Sequence, residues 1–315
     1  MPAQVSHVAS LGGGVIGQSW TALFLAAGKS VALFDPDPTA ANRVRAAIET
    51  AWPTLRKLGL AAGDPPLDKL VVSQDASAAV AGALFVQESI PEQLHLKHQL
   101  YAEIEPALNP DAVVASSASG LTLTELQGGW RDPARLVLGH PFNPPHLIPL
   151  VEVMGNQRTA LDVVTWTRRF YESIGKVTIE LKREVPGHVA NRLQAALWRE
   201  AIHLVREGVA TVEDVDTAVS SGPGLRWAVM GPTQLFHLGA GEGGLAAFCE
   251  RYADSFNRWW DDLGDPHLDR ATTEQLVAQL LARANVQDIA ALAAKRDELL
   301  TAVIVDTHRV QAETA

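Results

Sequence analysis

The chain has 315 residues, of which 47% are hydrophobic and 20% charged, and its formal net charge is −10. This composition is typical of a globular protein and excludes a disordered or fibrous chain. The acidic balance argues against nucleic acid as a partner, so we expect a small-molecule ligand and a chain of about two domains.

The first half of the sequence alternates short apolar runs with longer stretches of helical apolar spacing. This alternation is the pattern of an α/β domain whose mostly parallel sheet is covered by helices. Strands are predicted at residues 5–11, 30–34, 69–72, 83–87, 112–116 and 136–139. Helices are predicted at residues 15–27, 39–58, 92–107 and 160–174.

The second half reads as helical throughout. After Leu181 the strand-like runs stop, and a helix breaker at Pro186 and Gly187 precedes the first long amphipathic stretch. We therefore predict a dinucleotide-binding Rossmann domain at 1–186 and an all-helical substrate and dimerisation domain at 187–315. Helices are predicted at residues 185–207, 212–220, 243–263 and 272–282.

A glycine-rich turn follows the first predicted strand. Gly12, Gly14 and Gly17 have G-x-G-x-x-G spacing at the start of the first helix. The first glycine permits a tight turn, the second lets a pyrophosphate approach, and the third lets helix and strand pack closely. Together with Val15 and Ile16 they form the predicted cofactor-binding turn, although a merely structural glycine turn gives the same motif.

Asp35 ends the second predicted strand, where a carboxylate accepts hydrogen bonds from an adenosine ribose. The same charge repels a 2′-phosphate, so NAD is favoured over NADP. Asp35 also suits a turn-forming role in the Asp-Pro-Asp-Pro run that it begins, and both roles are compatible.

Oxidation of an alcohol needs a base and a group that sets the tautomer of that base. His140 is our candidate base because it ends an apolar strand, where ligands bind in open α/β sheets. Glu152 lies in another apolar strand and needs a buried partner, which His140 would provide. Residues 116–120 add hydroxyl groups at the end of a further strand. Each residue alone also fits an ordinary structural role.

These residues together resemble the 3-hydroxyacyl-CoA dehydrogenase superfamily, in its branch of lambda-crystallin, L-gulonate 3-dehydrogenase and L-carnitine dehydrogenase. The resemblance runs nearly end to end. Its motifs are the glycine turn, Gln87-Glu88-Ser89-Ile90-Pro91-Glu92 with Lys97, Ser117 to Gly120, Gly139-His140-Pro141-Phe142-Asn143-Pro144-Pro145, Leu150-Val151-Glu152-Val153, residues 184–194 and Gly224-Leu225-Arg226-Trp227.

The resemblance implies that Ser119, His140, Glu152 and Asn191 form the catalytic set, at a site between the domains. His140 would be the base and Glu152 would orient it. Ser119 would hydrogen-bond the reacting oxygen, and Asn191 would hold the substrate oxygen or a neighbouring backbone group.

The resemblance also implies that Glu92 and Lys97 contact the nicotinamide-ribose end of NAD, and that the helical domain forms a homodimer. Two positions depart from the usual pattern. Ala118 stands where many relatives have threonine, and His188 replaces the usual phenylalanine.

The substrate is expected to be a free acid rather than a CoA ester. The stretch between Asp35 and Glu92 looks short for a CoA-binding arm, and its basic residues are scattered as on solvated helix faces. Arg226 suits bidentate carboxylate binding, although a structural bridging role is equally open. The scattered basic residues are Arg43, Arg45, Arg56, Lys57 and Lys69.

Our main expectation is an NAD-dependent dehydrogenase that oxidises the 3-hydroxyl of a small, L-gulonate-like acid. L-carnitine is the near alternative, since Trp198, Trp227 and Trp130 offer rings for a trimethylammonium cage. A 3-hydroxyacyl-CoA dehydrogenase and a non-catalytic, crystallin-like dinucleotide binder remain as further alternatives.

The sequence also indicates where the protein works. Its one cysteine, Cys249, cannot form an internal disulfide and has no nucleophile motif around it. No basic leader follows Met1, and no apolar run approaches the roughly 20 residues that span a bilayer. We expect a cytoplasmic protein without membrane insertion and without a metal site.

Overall fold

The computed structural model describes residues 5–283 and 286–314. An eight-stranded sheet has the strand order β3-β2-β1-β4-β5-β6-β7-β8. Strands β1 to β6 are parallel, β7 pairs antiparallel with β6, and β8 is parallel to β7. The strands are β1 His7–Leu11, β2 Ser30–Phe34, β3 Leu70–Ser73, β4 Phe85–Glu88, β5 Val113–Ser116, β6 Leu136–Pro141, β7 Leu150–Met154 and β8 Val177–Glu180.

Helices cover both faces of this sheet. They are α1 Val15–Ala26, α2 Ala40–Lys57, α3 Ala76–Val80, α4 Leu94–Ile104, α5 Leu123–Gln127 and α6 Leu161–Ser173. Successive strand residues Val8 and Ala9 belong to different hydrophobic clusters, because adjacent side chains of a strand point to opposite faces. One cluster contains side chains of α1, α2 and α6, and the other contains side chains of α3, α4 and α5.

The rest of the chain is helical. Its helices are α7 Ala190–Arg206, α8 Val212–Ser221, α9 Pro223–Trp227, α10 Pro232–Gly239, α11 Gly244–Asp262, α12 Arg270–Leu281 and α13 Ile289–Thr314. The chain divides into two compact units, Met1–Ala190 and Asn191–Ala315. The predicted boundary at 186 and 187 stays a prediction.

The predicted fold class is confirmed: a mostly parallel Rossmann sheet is followed by a helical unit. The sequence analysis missed β8, the short helices α3, α5, α9 and α10, and the long helix α13. We predicted from the start of the sequence that a leader is absent. Residues 1–4 of that segment lie outside the described residues. Within the described chain, no helix is both long and apolar enough to cross a bilayer.

Candidate active site

The carboxyl ends of three neighbouring strands bring three sequence motifs to one edge of the sheet. Leu11 of β1 is in register with Glu88 of β4, and Glu88 is in register with Ser116 of β5. The segments that follow these strands therefore lie side by side. They are the glycine turn after β1, residues 89–92 after β4 and the serine loop, residues 117–120, after β5. Ligands of open α/β sheets bind at this edge.

The glycine turn has the shape that a dinucleotide requires. Gly12 has a φ of +97°, and an added Cβ there would lie 2.8 Å from the carbonyl oxygen of Ser89. A Cβ on Gly17 would overlap the carbonyl oxygen of Gly12, whereas one on Gly14 would enter open space. The amides at the start of α1 have no acceptor within the helix, so they are available to phosphate oxygens.

Asp35 follows β2 beside this turn. Its Oδ2 accepts the Gly13 amide at 2.8 Å, and its Oδ1 accepts the Asp37 amide at 2.9 Å. The guanidinium of Arg43 lies 3.5 Å from Oδ2 and is held by Asp37 at 2.6 Å. The turn-forming role and the position beside the glycine turn are thus compatible, and the Asp35 carboxylate, as an acceptor, fits the ribose hydroxyls of a bound NAD.

His140 and Glu152 form a buried pair. They lie directly opposite each other in the antiparallel pairing of β6 and β7, and His140 Nδ1 is 2.8 Å from Glu152 Oε2. Because an ionised carboxylate only accepts, Nδ1 carries a hydrogen, and in the neutral ring Nε2 is the nitrogen with the lone pair. A neutral imidazole with a free Nε2 is the form that a general base requires.

The other oxygen of Glu152 is also bonded. Oε1 accepts the amides of Val189 and Ala190 at 2.9 and 3.0 Å. Burial raises the pKa of Glu152, but the hydrogen bonds from His140 and these two amides outweigh it, so the pKa lies below its usual value. The carboxylate therefore stays ionised and keeps the imidazole in one tautomer.

Ser119 is held by Glu92, a contact that the sequence analysis did not foresee. Its hydroxyl donates to Glu92 Oε2 at 2.6 Å and its amide donates to Oε1 at 2.9 Å. The amides of Gly120 and Leu121 donate to the same Oε1. Desolvation raises the pKa of Glu92, but these bonds, that from the Ser119 hydroxyl foremost, bring it below its usual value.

Lys97 is only 1% exposed and forms an ion pair with Glu88, at 2.5 Å. Tyr101 and Ser116 donate their hydroxyls to the second oxygen of Glu88, each at 2.7 Å. The predicted contact of Lys97 with the cofactor stays a prediction. The sequence signal for this cluster was a carboxylate at the end of an apolar strand, the signal that we used for Glu152 but not for Glu88.

Asn191 and Arg226 lie in the second unit. Asn191 follows Ala190, the residue whose amide binds Glu152, and Arg226 is exposed in α9. No side-chain hydrogen bond or ion pair of Arg226 is found among residues 5–283 and 286–314. Their predicted roles in substrate binding stay predictions.

A cavity of about 740 Å³ within the second unit is lined by Asn191, Trp198 and Asp216, among other residues. Trp198 is thus open to a ligand. Trp130 is not, because it is buried in the core of the first unit against Tyr101, with ring centroids 4.9 Å apart. The suggestion that Trp130 lines a headgroup cage was wrong, since its ring serves packing.

Two family profiles match this chain in sequence. The profile of the 3-hydroxyacyl-CoA dehydrogenase NAD binding domain matches residues 7–185, and that of the 3-hydroxyacyl-CoA dehydrogenase C-terminal domain matches residues 187–279. Together they span most of the sequence, including the glycine turn and every candidate site residue.

Relatives of known name cover nearly the whole chain. L-carnitine dehydrogenase of Streptomyces coelicolor is 49% identical over 99% of this chain and 98% of its own length. L-carnitine dehydrogenase of Streptomyces griseus is 50% identical over 98% of this chain and 92% of its own length. Among solved structures, an NAD⁺-dependent 5-formyl-3-hydroxy-2-methylpyridine 4-carboxylic acid 5-dehydrogenase is 32% identical, with a TM-score of 0.84 and 97% and 99% of the two chains covered.

Proposed function

The chain belongs to the 3-hydroxyacyl-CoA dehydrogenase family, and on this basis we propose that it oxidises the 3-hydroxyl of L-carnitine with NAD. It is an NAD-dependent dehydrogenase acting on a CH–OH group. The observation that carries the choice of substrate is the 49% identity to an L-carnitine dehydrogenase over 99% of the chain. This identity favours L-carnitine, the near alternative of our sequence analysis, over the L-gulonate-like acid that was our main expectation.

His140 takes the hydroxyl proton in this proposal. Its Nδ1–H is held by Glu152, so Nε2 is the nitrogen left to accept a proton. The ionised Glu152 also stabilises the imidazolium that results. When NAD is bound, its nicotinamide supplies the hydride acceptor, and carbon 3 of the substrate becomes a ketone.

Ser119 holds the reacting oxygen. Its hydroxyl is positioned by Glu92, and with substrate bound it would turn its hydrogen to the reacting oxygen, so that the substrate's own hydroxyl hydrogen remains for His140. Glu92 thereby orients the serine and, through the amides of Gly120 and Leu121, fixes the loop that carries it.

The second unit contains groups suited to both ends of L-carnitine. Arg226 is exposed, and a guanidinium binds a carboxylate with two parallel hydrogen bonds. Trp198 is 53% exposed and lines the cavity, and an aromatic face attracts a quaternary ammonium. We assign Arg226 to the carboxylate and Trp198 to the trimethylammonium group.

We further propose that the protein is a homodimer through its helical unit. Large apolar side chains of this unit are exposed, among them Trp259 and Trp260 at 51% and 62%. Exposed apolar patches on a folded protein mark interaction surfaces. A second copy of the chain would remove these rings from water.

The test is NADH formation with L-carnitine, D-carnitine, L-gulonate, 3-hydroxybutyrate and 3-hydroxybutyryl-CoA, each with NAD and with NADP. We expect the highest kcat/KM with L-carnitine and NAD. Because 3-hydroxybutyrate lacks the trimethylammonium group, its lower kcat/KM measures what the headgroup contributes. A higher kcat/KM for L-gulonate or for the thioester would refute the proposed substrate.

A further inference from the structure

His188 has a backbone and a burial that ordinary packing does not explain. Its φ is +51°, a left-handed conformation that histidine adopts more readily than most residues but at a steric cost. Its ring is 2% exposed, and among the described residues its Nδ1 has no hydrogen-bond partner. A strained backbone and an unsatisfied buried nitrogen persist only where the surroundings fix them, and such positions cluster at functional sites.

The ring of His188 bonds to the serine loop. Its Nε2 lies 3.1 Å from the carbonyl oxygen of Ala118, the residue before Ser119. A carbonyl only accepts, so Nε2 carries the hydrogen, and Nδ1 of the neutral ring is an acceptor. The left-handed backbone gives the ring its direction toward this loop.

The two residues after His188 bond to the other half of the site. The amides of Val189 and Ala190 donate to Glu152, whose second oxygen holds His140. The ring of His188 itself lies 5.0 Å from that of His140, centroid to centroid. Residues 188–190 thus join the loop of the candidate serine to the histidine–glutamate pair within one short segment.

The electrostatics keep this ring neutral. Burial lowers the pKa of His188 below its usual value, and a proton on the neighbouring His140 would lower it further. The Ala118 carbonyl and the carboxylates of Glu152 and Glu92 oppose this shift without cancelling it. A neutral ring beside His140 places no second positive charge next to the imidazolium that forms during oxidation.

We propose that His188 is a positioning residue of the dehydrogenase site, and that its ring sets the separation between Ser119 and the His140–Glu152 pair. The inference rests on the roles proposed above for these three residues. It does not depend on which acid is the substrate.

The primary variant is His188→Phe, which keeps an aromatic ring but removes both nitrogens. We expect a fall in kcat of about 10- to 100-fold with little change in the KM for NAD. His188→Gln returns a donor at about the position of Nε2 and should recover part of the loss. His98→Phe is the matched control, because His98 also bonds a backbone carbonyl, but that of Glu125 in α5 at 2.8 Å and not one of the serine loop.

A double-mutant cycle separates positioning from general stability. If His188 acts through the serine loop, His188→Phe should cost much less activity in a Ser119→Ala background than in the wild type. Equal losses in both backgrounds, or wild-type kcat in His188→Phe, would overturn the proposal. A loss in His188→Phe that His188→Gln does not relieve would also count against it.

The assays use whichever acid of the panel the wild-type protein oxidises, so failure of L-carnitine as substrate leaves this test intact. An independent readout is the imidazole ¹⁵N spectrum of the protein without substrate. We expect one histidine signal set, lost in His188→Phe, with the shifts of a neutral Nε2–H tautomer at neutral pH and a titration midpoint below that of an unperturbed histidine. The shifts of an imidazolium at neutral pH, or a midpoint at or above the unperturbed value, would contradict the neutral ring.

Discussion

Lys176 is a buried lysine for which residues 5–283 and 286–314 provide no carboxylate partner. Its Nζ donates to the carbonyls of Pro145 and Ile148, each at 2.6 Å, and lies 5.2 Å from the centre of the Trp20 ring. Both carbonyls belong to the loop that joins β6 to β7, and these strands carry His140 and Glu152. The lysine therefore fixes the loop between the two members of the His140–Glu152 pair.

The charge of Lys176 makes folding stability depend on pH. Burial lowers its pKa from 10.5 to about 7. Between these two values the unfolded chain binds more protons than the folded one, so the free energy of unfolding rises with pH in this window. We expect a rise of at most about 5 kcal/mol that Lys176→Met abolishes.

The measurement is urea unfolding at pH 7, 8, 9 and 10 for the wild type and Lys176→Met, with the exposed Lys69→Met as control. The free energy of unfolding should rise with pH by the same slope in the wild type and in Lys69→Met. If it rises by that slope in Lys176→Met as well, Lys176 is not the source of the pH dependence.

Single residues of the site were predictable where a polar group interrupts an apolar strand. His140 and Glu152 carry this signal, and the structure pairs them. The bond between Ser119 and Glu92 and the bond between His188 and Ala118 carry no such signal, because each joins loops that are distant in sequence. Tertiary contacts between loops follow from the strand order, which no local pattern contains.

At the scale of elements, α4 is fixed to the sheet by the ion pair between Lys97 and Glu88. Removing one member of a buried pair leaves an uncompensated charge in the interior. Lys97→Met should therefore lower the free energy of unfolding by about 3–5 kcal/mol, and adding Glu88→Gln should restore part of it.

Urea denaturation of the wild type, Lys97→Met and the double variant measures these values, with the exposed Lys57→Met as control. NADH affinity of the same proteins tests the predicted contact of Lys97 with the cofactor. A loss below about 1 kcal/mol in Lys97→Met would mean that the pair is not the anchor of α4.

The elements that were predicted correctly have strong periodic patterns, and those that were missed do not. Strands β1, β4, β5 and β6 are almost fully buried, whereas β8 is a short, partly exposed edge strand. Helix α13 was missed because its apolar residues are not confined to one stripe, although its many alanines and leucines favour a helix. Helix α13 continues through the polar residues after Val305 to Thr314.

At the scale of the whole molecule, the exposed rings of the helical unit predict a dimer. Light scattering after gel filtration should give twice the chain mass of 33.8 kDa. Trp260→Glu should shift the protein toward the monomer, because it places a charge in the proposed interface. Leu161→Glu is the control, since Leu161 is 99% exposed in the first unit. A monomeric wild type would refute the interface.

The sequence predicted the family and the fold but not the preferred acid. The motifs that we propose to be catalytic resemble those of a superfamily whose members act on different substrates, so they indicate chemistry at the 3-hydroxyl and not the headgroup. Arg226 and Trp198 lie on separate helices of the second unit, and no local spacing relates them to a particular ligand. The choice of L-carnitine therefore comes from similarity along the whole chain.

The central claim is that His140 is the base of an NAD-dependent dehydrogenase whose substrate is L-carnitine. The most direct measurement compares NADH formation from L-carnitine by the wild type and by His140→Ala, together with NADH binding by both. We predict that the variant binds NADH as tightly as the wild type and loses about 10²- to 10⁴-fold in kcat. Unchanged kcat in His140→Ala, or no turnover of L-carnitine by the wild type, would contradict the claim.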